Sequence, residues 1–369
     1  MSKKKSQLQL AQDETEAAIQ KTNDKITELG DHTSQLYDQL SAIQDLFDRI
    51  RNIPTEEKLK YEELKKVRLN WKQQAEKIDS DFKTAAAKHA GAGAAGVGAG
   101  VAVVALGPTA AMGIATTFGV ASTGTAISTL SGAAATNAAL AWLGGGALAA
   151  GGGGMAAGNA LLALAGPIGW AIAGVALITS GLMVWKAKSD KNRLENVFTL
   201  ISKRDVTSYE LAIVELNERI ERITGESEKL REGIDRIQGF GLDYSKMTEA
   251  QQYELGAYLN LMNSSTQLLV NPIVGLQPKY TEADLAEYMQ EKSLEIPDEK
   301  EQSLIVTVAN LIYKIDLEDK DKKLLWKSFK RNKKFLESIG MKKKELDLSI
   351  IQTACDALTF RYTRPAEAE

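Results

Sequence analysis

Charge is missing from a long internal stretch of this chain. Residues 89–185 contain no Asp, Glu, Lys or Arg, although 25% of the 369 residues are charged. Cysteine is nearly absent too. Cys355 stands alone, which excludes an intramolecular disulfide and reads as a small buried apolar residue. The two histidines, His32 and His89, belong to no ligand cluster, so neither a metal nor a Cys/His catalytic centre is expected. His32 reads as a solvated helix residue and His89 as a boundary residue. No segment alternates polar and apolar residues as a strand does. The first residues, MSKKKSQLQLAQDETEAAIQ, are basic but lack an apolar core of signal-peptide length. Synthesis in the cytoplasm is therefore expected, followed by secretion without a cleaved signal or by residence in the inner membrane.

What remains is helical patterning. Ile19, Ile26, Thr33, Leu40 and Phe47 are spaced by seven, and Thr22, Leu29, Leu36, Ile43 and Ile50 interleave with them. That spacing makes one apolar stripe on one helix. Its two threonines argue for a bundle helix rather than a two-stranded zipper. Pro54, followed by Glu56 and Glu57, marks a new helix start near Thr55. Leu64, Val67, Trp71, Ala75, Ile78 and Phe82 line one face of this second helix. Beyond the uncharged stretch, no proline interrupts residues 186–239. There Val206, Tyr209, Ile213, Leu216, Ile220, Ile223, Leu230, Ile234 and Ile237 keep helical spacing, which predicts one helix of about 80 Å. From about Thr248 shorter helices follow. One of them opens on a capping box, Thr281 with Asp284.

The fold class expected is all-α: an elongated bundle of long helices, coiled-coil-like in its stalk, with a central Gly/Ala-rich apolar hairpin. The segments are 1–89, N-terminal amphipathic helices; 90–185, the uncharged hairpin region; 186–240, a long helix pairing with the N-terminal ones; and 241–369, shorter C-terminal helices with a basic patch.

The uncharged stretch reads as membrane-inserting. Residues 161–185, LLALAGPIGWAIAGVALITSGLMVW, exceed the roughly 20 apolar residues a spanning helix needs. They end in Trp185, Lys186 and Lys188, an aromatic and basic interfacial anchor. Residues 92–121 are a second candidate span. Twenty-two of the 30 glycines lie in the uncharged stretch. Glycine costs a helix about 1 kcal/mol in water. In lipid the helical hydrogen bonds have no competitor, and small residues let backbones approach. Gly96 with Gly100 and Gly154 with Gly158 have the GxxxG spacing; Gly166, Gly169, Trp170 and Gly174 complete the candidate packing and anchoring set. Basic residues on both sides place both flanks on one face of the membrane. The number of crossings is then even, two or four, with the flanking helices antiparallel and side by side. Threonines and serines from Thr116 to Thr136 are candidates for a wetted pore face. The bland alternative is a buried Ala/Gly-rich core hairpin.

Signatures of chemistry are few. GAGAAG from Gly91 fits a dinucleotide-binding pattern, but it follows a helix rather than a strand and reads as composition. No phosphate-binding loop is present. Neither cofactor nor enzymatic activity is expected. A cluster of lysines and arginines between Lys320 and Lys344 includes Lys327, Lys330, Arg331, Lys333 and Lys334, with Asp321 and Glu337 as the opposing charges. It suits either anionic lipid headgroups or a plain solvated face. Nucleic acid is not expected, because the net charge is −3.

Long amphipathic helices around one central apolar hairpin resemble the α-helical pore-forming toxins of the cytolysin A type, including haemolysin components of multi-part toxins. The resemblance covers about residues 55–239 and the N-terminal helix, and it is architectural. It implies a soluble form that tucks the hairpin against the bundle. It also implies partners: a lipid membrane, with further copies of the chain or companion toxin components. The uncharged stretch departs from that family in being longer and richer in glycine than a single head hairpin. The layout is also similar to hydrophobic translocators of type III secretion and to membrane-disrupting bacterial defence effectors. Two other readings stand beside it: a resident membrane scaffold with a coiled-coil stalk, and a soluble interaction protein whose glycine-rich region is core. Under the pore-forming reading, Gly154→Leu or Gly158→Leu blocks assembly while the soluble bundle stays intact. Full liposome permeabilisation by either variant contradicts it.

Overall fold

The computed structural model describes residues 6–90, 108–118, 188–277, 279–331, 336 and 342–363. Among them the fold is all-α. In chain order the helices are α1 (Gln7–Arg49), α2 (Thr55–Ala90), α3 (Pro108–Phe118), α4 (Lys188–Gln238), α5 (Glu249–Val270), α6 (Glu282–Glu291), α7 (Glu299–Ile312), α8 (Asp319–Arg331) and α9 (Leu348–Thr363).

Local sequence explains the boundaries. Ser6 and Gln9 form a capping box that starts α1, and Ile50 in an extended conformation ends it. Asn52 then takes φ +62°, a left-handed conformation that asparagine tolerates. Pro54 lies just outside α2, its carbonyl accepting from Lys58 N–H. Thr248 with Gln251 and Thr281 with Asp284 cap α5 and α6 as boxes, and Asp298 caps α7.

Among the described residues the most extensive helix–helix contact is between α1 and α4. The heptad stripe makes it. Ile26, Leu29, Leu36, Leu40 and Ile43 of α1 are fully buried, as are Tyr209, Leu216, Ile223 and Leu230 of α4. The stripe threonines Thr22 and Thr33 are equally buried. Their hydroxyls donate back to Ala18 O and Gly30 O, so their burial leaves no orphan donor. The two helices run parallel in a fixed register. Thr224 Oγ1 lies 3.0 Å from His32 Nδ1, and at the far end Arg51 N–H donates to Leu242 O while Tyr244 N–H donates to Arg51 O. His32 is thus half-buried and partnered rather than solvated.

One sequence expectation is corrected here. The segments flanking the uncharged stretch do run in opposite directions, but α4 lies along α1 and not beside α2. The heptad stripe of α1 offers α4 a continuous apolar seam, which the shorter stripe of α2 does not. Instead α2 runs antiparallel to α1, joined by side chains. Tyr61 O–H donates to Gln44 O and to Asp48, its ring stacks on Phe47 at 5.6 Å, and Trp71 meets Tyr37 at 5.5 Å. Arg68, 2% exposed, donates to Gln44 Oε1 and Thr266 Oγ1 and so ties α2 to α1 and α5. Helix α5 folds back along α4. Glu226 of α4 accepts from Ser264 and Ser265, and Arg219 donates to the last carbonyls of α5, Leu268 O and Asn271 O.

A second core gathers at the other end. Leu8 from α1 and Leu194, Val197, Phe198 and Ile201 from α4 pack with apolar residues of α6, α7, α8 and α9. Between the two cores, α4 buries a polar step: Ser202, Asp205 and Tyr209, all without exposure. Arg204 donates to Asp205 Oδ1 and to the closing carbonyls of α7, Leu311 O and Tyr313 O. The other oxygen, Asp205 Oδ2, has no hydrogen-bond partner. Burial pushes the Asp205 carboxyl up to about 7, against the opposing pull of Arg204. The folded state therefore favours the neutral acid. Its contribution to stability is complete below the ordinary carboxylate range and is lost as pH rises through about 7. The melting temperature is accordingly expected to fall between about pH 4 and pH 7 and to level off above that. Asp205→Asn, which keeps the shape and removes the charge, is expected to flatten that fall when the melt is followed by circular dichroism.

Candidate functional site

The uncharged stretch is the feature that sets this chain apart, and one piece of it lies among the described residues. Pro108 opens α3, a position where its missing N–H is no loss. Eleven residues make a helix of about 16 Å, well short of a bilayer's roughly 30 Å hydrocarbon core. Among the described residues no helix is long and apolar enough to cross a membrane. Within the second candidate span, residues 92–121, the described part is this short helix, and it starts at a proline.

Helix α3 sits against α1 and α2 and touches α5. Ala110, Ala111, Met112, Ile114, Ala115, Thr116 and Thr117 are all buried, so almost the whole circumference is covered. Only a helix without charge fits such a site. Thr117 Oγ1 donates to Gly113 O, and Ile273 N–H donates 2.8 Å to Thr117 O, closing the helix end. Thr116 is a candidate for the wetted pore face, but here it is fully buried and its hydroxyl has no partner. That orphan hydroxyl favours a wetter environment than the one it occupies.

Two glycines let α3 in. A Cβ on Gly30 of α1 would lie 1.9 Å from Thr109 O, and a Cβ on Gly113 of α3 would lie 2.0 Å from Ile26 O. Both obstacles are backbone atoms, which cannot swing aside. The helices therefore cross with their main chains touching, as small-residue pairs allow. Burial of Met112 and Ile114 adds about 1.5–3 kcal/mol each. The sequence carries a signal for this crossing that spacing rules pass over: Gly30 is the only glycine before residue 91, placed inside an otherwise regular heptad helix.

Of the residues singled out from sequence, Gly96, Gly100, Gly154, Gly158, Gly166, Gly169, Trp170, Gly174 and Trp185 lie outside the described residues, as do Lys333 and Lys334. Lys327 and Arg331 are exposed, and Lys330 is half-buried with its ammonium 4.5 Å from the Trp326 ring centre. Charges of both signs in the basic cluster have partners that sequence proximity does not reveal. Lys320 pairs with Asp190 at 3.0 Å, and Asp321 is buried and taken by Arg193. Cys355 is half-buried, and burial pushes its thiol up to about 11, far from a reactive thiolate. Among the described residues no three His, Cys, Asp or Glu side chains converge as a metal site.

The glycine crossing generates a graded expectation. Gly225, inside α4, has open space around its Cβ position. Gly225→Ala is expected to stabilise the bundle by about 0.5–1 kcal/mol through helix propensity alone. Gly30→Ala or Gly113→Ala is expected to destabilise it by about 1–3 kcal/mol, the usual scale of overpacking, and to raise binding of a hydrophobic dye. Urea unfolding of the three variants checks the order.

Comparison with protein-family models, with curated proteins and with solved structures finds no match to this chain.

Proposed function

We propose that the chain is a membrane-inserting α-helical pore-forming protein, similar in plan to toxin components of the cytolysin A type. It stores apolar helix in a soluble bundle and oligomerises after inserting it into a target membrane. The observation that supports this reading is the enclosure of α3. A piece of a stretch with no Asp, Glu, Lys or Arg over residues 89–185 is held inside a bundle of charged helices, through a glycine-to-glycine crossing. Glycine contacts of that kind are compatible with two lives. They pack tightly in the bundle, and they pack equally well between helices in lipid, where Gly and Ala faces associate by close backbone approach. The same apolar area drives both, at about 25 cal/mol per Å² removed from water.

The enclosure of α3 also favours a second reading, in which the Gly/Ala-rich stretch is permanent core and the protein is a soluble helical partner for other macromolecules. The two readings part on a single experiment. Protein purified without detergent is mixed with dye-loaded liposomes. The pore-forming reading expects release that rises steeply with protein concentration, as oligomerisation requires. The core reading expects none, with the protein remaining in the supernatant. Protein that cannot be extracted without detergent supports a resident membrane scaffold instead and contradicts both.

A further inference from the structure

The second core presents an outer face that the storage of α3 does not use. Helix α8 turns Leu324, Leu325, Ser328 and Phe329 inward, and all four are buried. Its opposite face carries Lys323, Lys327 and Arg331, exposed and one helical turn apart. Trp326, between these two faces, donates from its indole N–H to Leu346 O at 3.0 Å. That bond seats the turn before Leu346 against α8, and the turn brings three more exposed cations, Lys342, Lys343 and Lys344. The turn is itself ordered: Lys342 N–H donates to the Glu345 carboxylate, and Glu345 N–H donates to Lys342 O. Lys330 lies over the Trp326 ring and holds an amphipathic side chain at the rim of the patch.

The carboxylates nearby are mostly engaged. Asp319 pairs with Lys322, Asp321 and Glu318 with Arg193, and Asp190 with Lys320. Asp347 accepts from Ser349 N–H, and Glu345 closes its own turn. A cationic surface with the half-buried Trp326 at its rim remains. Its position is specific. The first turn of α8 is clamped to the first two turns of α4, by Arg193 with Asp321 and by Lys320 with Asp190. Helix α4 starts at Lys188, three residues after the uncharged stretch ends. The basic face therefore stands at the end of the bundle where that stretch rejoins the charged chain.

We propose that the exposed face of α8 and the Lys342–Lys344 turn form a docking surface for membranes rich in anionic phospholipid, which holds the start of α4 toward the bilayer. This rests on the membrane-inserting reading and adds to it a lipid preference and an orientation. Cations near a charged leaflet attract it additively, and salt screens the attraction. A basic rim beside an apolar stretch is also the arrangement that fixes which flank stays outside the hydrocarbon.

The test is co-sedimentation of the full chain with vesicles of phosphatidylcholine alone or with about one third phosphatidylserine, followed by dye release from the same vesicles. Wild type is expected to bind the anionic vesicles strongly at low salt and weakly at 0.5 M salt. The triple variant Lys323→Gln, Lys327→Gln, Arg331→Gln is expected to lose about fivefold in partitioning per cation removed. A second triple variant, Lys342→Gln, Lys343→Gln, Lys344→Gln, is expected to lose a comparable amount. Replacing Lys323 and Lys327 by arginine is expected to keep binding. All six side chains are exposed, and an unchanged thermal melt checks that each variant is folded. Equal binding of wild type to neutral and anionic vesicles, or full binding by both triple variants, overturns the docking surface while release by wild type leaves the membrane reading standing. No binding and no release with any vesicle overturns both. Salt-sensitive binding of duplex DNA by wild type, lost in the triple variants and without vesicle binding, overturns the lipid assignment in favour of nucleic acid.

Discussion

The crossing of α1 and α3 at Gly30 and Gly113 is the contact that the rest of the bundle accommodates. Main chain touches main chain there, and a single methyl group on either residue would overlap backbone oxygen. Because the helices approach so closely, α3 sinks into the space bounded by α1, α2 and α5 and is covered on nearly every side. A charged or even a larger residue on α3 is incompatible with that seat. The absence of charge in α3 is thus a packing requirement of its seat in the bundle. The membrane-inserting role proposed for this stretch would select the same small, uncharged residues.

Around that seat the long helices supply rigidity. The parallel pair α1 and α4 is locked by a heptad seam, by His32 with Thr224 in its middle and by the Arg51 bridge at its end. Helix α5 is fixed to α4 by charged and capping contacts along its length. Helix α3 closes onto the loop after α5, where Ile273 N–H donates to Thr117 O. The opposite end of α4 belongs to a separate core, reached across the buried step of Ser202, Asp205 and Tyr209. A buried carboxyl with one unpaired oxygen is a weak point in an otherwise apolar seam.

Much of this was legible in the sequence. The heptad positions of α1 from Thr22 to Ile50 are buried, Pro54 stands at the α2 start, and Thr281 with Asp284 caps α6 as its spacing requires. These features are local, and local rules capture them. Partner choice was not legible. Amphipathic stripes on α1, α2 and α4 are compatible with several pairings, and the choice of α1 for α4 depends on seam length and on the Arg51 bridge far along the chain. Equally hidden were the pairs Lys320 with Asp190 and Arg193 with Asp321, which join residues more than a hundred positions apart; the first takes one cation from the basic cluster and the second takes its Asp321 counter-charge. The Gly30 crossing was marked in the sequence only by a lone glycine in a regular helix. Its meaning appears once the second glycine is brought to it.

A pore former of the kind proposed holds α3 in the bundle and gives it up at the membrane. Hydrogen exchange at the backbone amides of residues 110–117 tests it most directly, measured by mass spectrometry with and without anionic liposomes. The account predicts strong protection in solution, equal to that of the buried α1 seam. When liposomes are added, it predicts early loss of protection in the matching amides of α1 around Gly30, as α3 leaves its seat. Unchanged protection of the α1 amides while the liposomes leak would contradict it.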